Sequence, residues 1–277
     1  MPGMHRHPSA SVTPSAPSPF GERLRHWRQH RRLSQLDLAH VADVSTRHLS
    51  YVETGRASPS RDMVLRLVDR LDIPLRERNG LLEAAGFAPM YRERPLHAPD
   101  MASARAAVQR ILDCHSPWPA LAMDRHWNLV MSNHMVSVLI GDVAPELLQP
   151  PLNILRLSLH PQGLAPRIAN LRQWRDHLFE RLRQQIHTTG DDTLAALLAE
   201  LKTYPDHLGG EAVALPGEHH GVLMPFEFHT PQGVLRLIST TTVFGSPVDI
   251  TLQELALETF FPADEATAAH LRALAQG

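Results

Sequence analysis

The stretch "SQLDLAHVADVSTRHLSYVETGR" (residues 34–56) decides the fold, because it contains the signals of two short helices in close succession. Ser34 and Ser45 each precede an amphipathic run, and serine is a preferred helix N-cap. Asp43 and Val44 allow only a short turn between the runs, and Gly55 stands where a helix would end. The stretch therefore predicts a helix, a tight turn and a second helix.

The second of these helices has a wide polar side. Successive residues lie about 100° apart around a helix, so Leu49 and Val52 fall on one side of it. The opposite side is a polar stripe about 140° wide, which holds Thr46, Arg47, Ser50, Tyr51 and Thr54. The second helix of a helix-turn-helix motif presents such a surface to the DNA major groove. The alternative interpretation is a helical bundle whose polar face is merely solvated.

Three further helix signals complete a compact all-α domain of five short helices over residues 20–86. They are "FGERLRHWRQHRR" (20–32), "RDMVLRLVDRLD" (61–72) and "LRERNGLLEAAG" (75–86). We expect Leu36, Leu38 and Ala39 to form the apolar face of the helix before the turn. Residues 1–19, rich in Pro, Ser and Ala, predict a disordered tail. Residues 87–103, which begin with the proline-rich "FAPMYRERPLHAP", predict a linker.

Residues 33–60, "LSQLDLAHVADVSTRHLSYVETGRASPS", resemble the phage-repressor-like helix-turn-helix family, also called the XRE or Cro/C1-type family. The resemblance implies that Gln35 binds a DNA phosphate and that Arg47 contacts a base edge, with a guanine as its best bidentate partner. Thr46 and Ser50 stand at the family's other base-reading positions. The complete predicted DNA-binding set is Gln35, Ser45, Thr46, Arg47, Ser50, Tyr51, Arg56 and Arg61, the last two placed to meet phosphates.

The same alignment brings Arg28 of the first helix opposite Glu53. We expect a partly buried ion pair that braces the domain, because an unpaired acid on a DNA-facing helix would repel phosphate. Modules of this kind usually bind double-stranded DNA as homodimers, with half-sites about 34 Å apart. Whether the dimer contacts come from the second half of the chain or from the region of the fifth helix stays open.

Charge is divided unevenly along the chain. Residues 20–95 hold 14 Arg against 10 Asp and Glu, whereas residues 96–277 hold 12 Arg and Lys against 19 Asp and Glu. A basic first part and an acidic remainder favour two domains with different partners. Cys114 is the only cysteine, which fits a reducing cytoplasm. No run approaches 18 apolar residues, so no membrane span is predicted.

The second half, residues 104–277, alternates strand and helix signals. A hairpin is predicted in "PALAMDRHWNLVMSN" (119–133), and strands in "GVLMPFEFHT" (221–230), "GVLRLISTTTVFG" (233–245) and "VDITLQELALETFF" (248–261). Helices are predicted in residues 165–186, 191–201 and 264–275. Helices between the first two strands and the last three predict an α+β domain with an antiparallel sheet.

The usual catalytic and metal-binding patterns are absent from the sequence. There is no Gly-x-Ser-x-Gly elbow, no phosphate-cradling glycine loop and no HExxH motif. The densest histidine cluster, Glu218, His219 and His220, has the flanking Gly and Pro of a solvated loop. Cys114 next to His115 lacks a third group, and Ser246 has an ordinary turn composition. We therefore expect no enzyme activity, no cofactor and no metal.

The apolar residues of the second half admit two interpretations. Met224, Phe226 and Phe228 alternate along one strand, and Met123 and Trp127 come from the hairpin. These side chains form either a fully packed core or one wall of a cavity, where soft Met and aromatic groups accept an apolar ligand.

A resemblance favours the cavity. "PWPALAMDRHWNLVMSN", "NILRLSLHPQGLAPRIANL" and "TVFGSPVDITLQELALETFFPADEATA" look like the ligand-binding domain of MmyB-like transcription regulators. That resemblance implies a PAS-like fold, with a curved antiparallel sheet and flanking helices, and a fatty-acid-like ligand. Such a ligand needs a polar anchor, for which the candidates are Asn133, His160, Arg167, Asn170 and Arg236. Asn133 could instead cap a helix, and Arg236 could face solvent.

The sequence thus predicts a cytoplasmic transcription regulator that binds an operator as a homodimer and senses a small apolar or amphiphilic ligand. One alternative is a DNA-binding interaction protein whose second domain binds a protein partner. Another is a DNA-tethered enzyme.

Overall fold

The computed structural model describes residues 19–141, 143–205, 224–244 and 249–276. They form two compact units, which divide between Tyr91 and Arg92. The predicted tail lies outside the described residues except for Pro19, which begins the first helix. The end of the tail was therefore predicted one residue too late. Glu218, His219, His220 and Ser246 also lie outside the described residues.

The first unit contains the five predicted helices. They are α1 Pro19–His30, α2 Gln35–Val41, α3 Thr46–Glu53, α4 Arg61–Arg70 and α5 Leu75–Ala84. Three of them begin at serines whose hydroxyls accept a hydrogen bond from a backbone N–H of the first turn: Ser34, Ser45 and Ser60. The carboxylate of Asp37 in turn accepts a hydrogen bond from the backbone N–H of Ser34, which completes a capping box. The caps therefore fix where α2, α3 and α4 start.

The helices pack around one apolar core. Phe20, Leu24 and Trp27 of α1 are buried with Leu49 and Val52 of α3. Gly21 allows α1 to approach the end of α3, since a Cβ at this position would lie 2.5 Å from the carbonyl oxygen of Glu53. This close contact was not predicted.

One predicted core residue of α2 was wrong. Leu36 is 66% exposed, whereas Leu38 and Ala39 are buried as expected. Ala42, which follows α2, is buried in place of Leu36. The buried apolar set of this region therefore lies about two residues further along the chain than predicted.

The predicted linker, residues 87–103, is bound on each side of the division between Tyr91 and Arg92. The side chain of Asn79 hydrogen-bonds the backbone of Met90 and Tyr91, and the guanidinium of Arg78 lies over the Tyr91 ring. Beyond the division, Arg94 forms an ion pair of 2.8 Å with the buried Asp249. Residues 87–91 thus belong to the first unit, and the segment from Arg92 onward belongs to the second.

The second unit is built on a five-stranded antiparallel sheet in the order β2-β1-β5-β4-β3. The strands are β1 Ala120–Met123, β2 Leu129–Ser132, β3 Pro225–Thr230, β4 Gly233–Val243 and β5 Ala256–Pro262. β1 and β2 form the predicted hairpin. The first and last strands, β1 and β5, thus pair with each other inside the sheet. The predicted α+β class is confirmed.

Helices flank this sheet and fill the connection between its second and third strands. They are α6 Ala102–Cys114, α7 His134–Ile140, α8 Ile154–Leu159, α9 Leu171–Thr189, α10 Asp192–Leu201, α11 Ile250–Gln253 and α12 Glu265–Leu274. Single 3₁₀ turns lie at Pro99–Met101, Pro145–Leu148 and Ala165–Arg167. None of the helices in the described ranges is both long and apolar enough to cross a bilayer.

Two predicted elements of this unit were wrong in part. The segment 248–261 was expected to be one strand, but Asp249 accepts a hydrogen bond from the backbone of Thr251 and starts α11 before β5 begins. The helix expected over 165–186 begins at Leu171, because Ala165–Arg167 is a separate 3₁₀ turn. Helices α6 and α8 were not predicted, and α7 was anticipated only as the helix after the hairpin that Asn133 could cap.

The sheet is covered on both faces. Val108 and Leu112 of α6 pack with Ala122 and Leu257 on one face. The larger apolar cluster lies on the other face, where α7 to α10 cover β1, β3 and β5. A cavity lies between the sheet and the helices on this face.

Candidate DNA-binding surface and ligand cavity

Glu53 fixes α3 to the rest of the first unit. Its carboxylate is 0% exposed and accepts hydrogen bonds from Nε and Nη2 of Arg28, at 2.6 and 2.9 Å. The side-chain amide of Gln35 donates a third, of 2.7 Å, to Oε2. Arg28 also donates to the carbonyl oxygen of Leu33. The predicted ion pair between Arg28 and Glu53 is thus confirmed, and it joins α1, α2 and α3.

Both members of the pair are held in their charged forms. Burial raises the pKa of Glu53, but the hydrogen bonds from Arg28 and Gln35 and the charges of Arg28 and Arg25 outweigh burial, so the pKa lies below its ordinary value of 4.5. The hydrogen bond to Glu53 raises the pKa of Arg28. A charged, bidentate contact of this kind adds geometric specificity as well as energy, so it helps to fix the orientation of α3 relative to α1.

The outer face of α3 carries the predicted base-reading residues. Arg47 is exposed, its Nε donates a hydrogen bond of 3.1 Å to the hydroxyl of Tyr51, and its guanidinium lies 5.4 Å from the Tyr51 ring centre. This bond uses one of the five N–H groups of the guanidinium. Thr46 and Ser50 are half-buried beside it. Leu49, Val52 and Glu53 face inward, so the predicted polar stripe points away from the core.

The remaining predicted DNA-binding residues lie around this face. Arg56 and Arg61 are exposed and flank the connection from α3 to α4. Ser45 caps α3 through the backbone N–H of His48. Gln35 is engaged with Glu53, so it lies beside the ion pair at the start of α2. The contacts of all these residues with DNA stay predictions.

The second unit contains an apolar cavity of about 100 Å³ that is partly open to solvent. Helices α7, α8 and α9 form one side of it, and the sheet forms the other. One water molecule requires about 10–15 Å³, and an apolar cavity of ~150 Å³ is known to hold benzene. The cavity is therefore large enough to receive part of a hydrocarbon ligand.

Three of the five predicted apolar ligand residues line the cavity: Trp127, Phe226 and Phe228. Phe226 and Phe228 stack at 5.6 Å, and Trp174 of α9 packs against Phe226 at 4.8 Å. Met123 is buried in the surrounding core and Met224 packs against its edge, and neither belongs to the lining.

The two asparagines predicted as polar anchors have backbone partners instead. Asn133 accepts from the N–H of Ala120 and donates to the carbonyl oxygens of Leu112 and Trp118. It stands at the N-cap position of α7 but forms no side-chain cap bond. Asn170 is likewise buried, and it donates to the carbonyl of Pro225 and accepts from the N–H of Glu227. Both residues hold loops against the sheet, and neither lines the cavity.

The other three predicted anchors also lie outside the lining. His160 packs edge-on against Tyr204 and accepts from the N–H of Gln162. Arg236 is directed towards Glu227 and Asp264, each 3.6 Å away. Arg167 lies closest to the cavity, with its guanidinium 4.8 Å from the Phe228 ring centre, but it donates to the carbonyl oxygens that end α7.

The polar groups that do reach the cavity were missed. Ser158 lines it and accepts a hydrogen bond of 3.0 Å from the indole N–H of Trp174. Glu258 lines it as well, with a side chain only 4% exposed and an ion pair of 3.0 Å to Arg181. An acid between apolar residues in "LALETFF" was the available signal, but the sequence alone does not say which face of the strand it occupies.

Comparison with known proteins agrees with this division into two units. Residues 19–81 match the family described as helix-turn-helix domain, and residues 104–274 match the family described as MmyB-like transcription regulator ligand binding domain. No curated protein matches the chain.

Two solved structures are similar to part of the chain. The restriction-modification controller protein C.AhdI from Aeromonas hydrophila is 37% identical over 21% of this chain and 89% of its own, with a TM-score of 0.21. The clp gene regulator ClgR from Corynebacterium glutamicum is 25% identical over 36% of this chain and 93% of its own, with a TM-score of 0.22.

Proposed function

We propose that this chain, which belongs to the MmyB-like transcription regulators, is a cytoplasmic one-component regulator. It is a DNA-binding protein with a helix-turn-helix domain and a ligand-binding domain. In the proposal, the first unit binds an operator with two half-sites as a homodimer. The second unit binds a small apolar or amphiphilic, fatty-acid-like molecule that changes the affinity for the operator.

The observation that carries the DNA-binding half is the outer face of α3. Arg47 is exposed and supported by Tyr51, while Glu53 on the opposite side is bonded to Arg28. A guanidinium that keeps its terminal N–H groups on an outward helix face has the geometry for bidentate contact with a guanine. Arg56 and Arg61 add positive charge where the phosphate backbone would pass.

Selection of binding sites from random duplexes with the full-length protein tests this half. Arg47→Ala should weaken binding to the selected site by about 1–3 kcal/mol and relax the preference at one base pair. Arg110→Ala is the matched control, since it removes an exposed arginine from α6 in the other unit. If Arg47→Ala retains the full sequence preference, Arg47 does not read a base.

Homodimer formation is supported by the small size of the recognition helix, which has eight residues. One such helix buries too little surface for specific binding, whereas two half-sites double it. Sedimentation of the protein with its selected operator should give two chains per duplex. A single chain on a duplex at saturating protein would contradict this.

The apolar cavity supports the sensing half. Its lining combines aromatic and aliphatic side chains with only a few polar atoms, as is common in small-molecule sites. To regulate, a ligand must bind the DNA-competent and incompetent arrangements with different affinity. The operator affinity should therefore change when ligand is added.

Native mass spectrometry of the purified protein tests for a bound small amphiphile. Leu139→Trp, which places a larger side chain at the cavity wall, should reduce its occupancy, while Ile111→Trp on the exposed side of α6 should not. A protein that carries no small molecule but co-purifies with a stoichiometric partner would favour the alternative interaction protein.

A further inference from the structure

Ser158 places one hydroxyl in the helical wall of the cavity. The other residues that α8 contributes to this wall, Ile154, Leu155 and Leu157, are apolar. Capping does not require the hydroxyl, because Asn153 caps α8 with its own side chain. A polar group beside an apolar cavity costs free energy unless it finds a hydrogen-bond partner. The hydrogen bonds of Ser158 therefore indicate what it is placed to bind.

The hydroxyl of Ser158 accepts a hydrogen bond but donates none within the described residues. The indole N–H of Trp174 donates to its Oγ at 3.0 Å. A serine in a helix commonly donates to the carbonyl oxygen one turn earlier, here that of Ile154, but this bond is not formed. The bond accepted from Trp174 polarises the O–H and strengthens any bond that it donates in turn. One polarised O–H donor is thus left at the cavity wall.

The described lining offers a ligand no other side-chain donor. Apart from the indole that binds Ser158, the one lining side chain in these ranges with an N–H or O–H group is Trp127, and it donates to Oε1 of Gln185 at 2.8 Å. Glu258 is the acid of the lining, and an ion pair of 3.0 Å with Arg181 compensates its charge. The donor that remains for a ligand is therefore the neutral O–H of Ser158.

Contacts on two sides hold α8, and with it the hydroxyl of Ser158, in a fixed position. The guanidinium of Arg156 donates two hydrogen bonds of 2.7 Å to the carboxylate of Glu200 on α10. The side-chain amide of Asn153 donates to the carbonyl oxygen of His126 in the β1–β2 turn. A donor that is already in place before the ligand arrives loses little conformational entropy on binding.

We propose that Ser158 recognises the polar end of the ligand, and that this end carries a carbonyl or carboxylate oxygen that accepts the Ser158 O–H. The hydrocarbon part then lies against the aromatic side of the cavity, at Phe226 and Phe228. Because the anchor is a neutral donor, the oxygen of a ketone or an ester satisfies it as well as that of an acid. This inference rests on the proposed sensing function and deepens it, because it names the residue that selects the head group.

Three probes of similar length test the proposal by calorimetry with the full-length protein. Octanoate and 2-octanone each carry an oxygen that accepts a hydrogen bond, whereas 1-chlorooctane lacks a strong acceptor. Ser158→Ala removes the donor and should weaken the two acceptor probes by about three- to tenfold, the effect of one hydrogen bond. The affinity for 1-chlorooctane should change by less than about twofold, because it has no such bond to lose.

Two control variants separate the donor from general effects on the cavity. Ser137→Ala removes an exposed serine of α7 that lies outside the lining, and it should leave all three affinities unchanged. Ser158→Thr keeps the hydroxyl, so it should keep the wild-type ratio of 2-octanone to 1-chlorooctane. Infrared spectroscopy of bound 2-octanone, labelled with ¹³C at the carbonyl, gives a direct readout in the wild-type protein. A hydrogen bond from Ser158 should lower the carbonyl frequency below its value in an alkane solvent.

The outcomes distinguish this inference from the sensing function. An equal loss for all three probes in folded Ser158→Ala, or no loss for the acceptor probes, overturns the role of Ser158 and leaves the sensing function standing. A carbonyl band at the alkane frequency in the wild-type protein does the same, even if Ser158→Ala folds poorly. If none of the three probes binds, both the role of Ser158 and the sensing function fail.

Discussion

Replacing Glu53 by alanine should strongly destabilise the first unit. The change leaves the guanidinium of Arg28, itself in a residue only 8% exposed, without its charged partner. Breaking a buried ion pair by removing one partner costs about 3–5 kcal/mol. We expect the lower end, about 3 kcal/mol, because Arg28 keeps its hydrogen bond to the carbonyl oxygen of Leu33. For a domain of this size, that corresponds to a fall of about 12–24 °C in the unfolding midpoint.

The measurement must report on the first unit separately, because one midpoint is not defined for a chain of two units. Hydrogen exchange of the α1 and α3 amides in the full-length protein gives that readout, alongside calorimetry. Glu83→Ala, which removes an exposed acid from α5, is the control and should change little. Replacing both partners by apolar residues, Arg28→Met with Glu53→Leu, should restore most of the stability.

The pH dependence follows from the pKa of Glu53, which is lower in the folded protein than its ordinary value of 4.5. The stabilisation by the pair is fully present above that value and is lost as the pH falls below it towards the folded pKa. Glu53→Ala should lack this acid-dependent loss. A midpoint within about 3 °C of wild type at neutral pH, less than the shift expected for even 1 kcal/mol, or an unchanged acid profile, would refute the buried ion pair as the brace of α3.

Three further substitutions give sharp expectations. Gly21→Ala should lower the unfolding midpoint of the first unit at a cost of about 1–3 kcal/mol, measured by calorimetry, because its Cβ would meet backbone atoms of α3 at 2.5 Å. Tyr51→Phe should weaken operator binding in a titration by about 0.5–1.5 kcal/mol without changing stability, because Arg47 loses one hydrogen bond. Asn133→Ala should destabilise the second unit to denaturant by about 1–3 kcal/mol, because it strands a buried N–H and two carbonyl groups.

The helices of the first unit were predictable because their signals are local. Ser34, Ser45 and Ser60 each cap the helix that follows within three residues, and Gly55 takes a positive φ of 73° after α3. The ion pair between Arg28 and Glu53 followed from the family alignment, although it spans 25 residues. Leu36 was misplaced because α2 has only seven residues, so its buried side depends on its neighbours more than on its own periodicity.

The segment before β5 shows a limit of residue preference. "VDITLQ" is rich in β-branched residues, which favour strands. The carboxylate of Asp249 nevertheless binds the backbone N–H of Thr251 and starts a helical turn, and it also pairs with Arg94, far away in sequence. The residue that starts the helical turn, Asp249, is therefore also held by a long-range ion pair. Residue preferences within one segment contain no information about such a pair.

Arg236 and Glu258 show which side-chain positions in a sheet can be predicted from sequence and which cannot. The β3–β4 hairpin has a two-residue turn, with Thr230 paired to Gly233, and this register alone sets Phe226 opposite Leu237 and Glu227 opposite Arg236. Arg236 therefore belongs with Glu227 on the face away from Phe226, so the residue pattern of the hairpin is enough to exclude it as an anchor. No tight turn fixes the register of Glu258. Its strand, β5, pairs with β1, which lies far away in the sequence, and with β4, from which a long connection separates it. Its place in the cavity wall follows only from those long-range pairings, so sequence reasoning could not place this acid there.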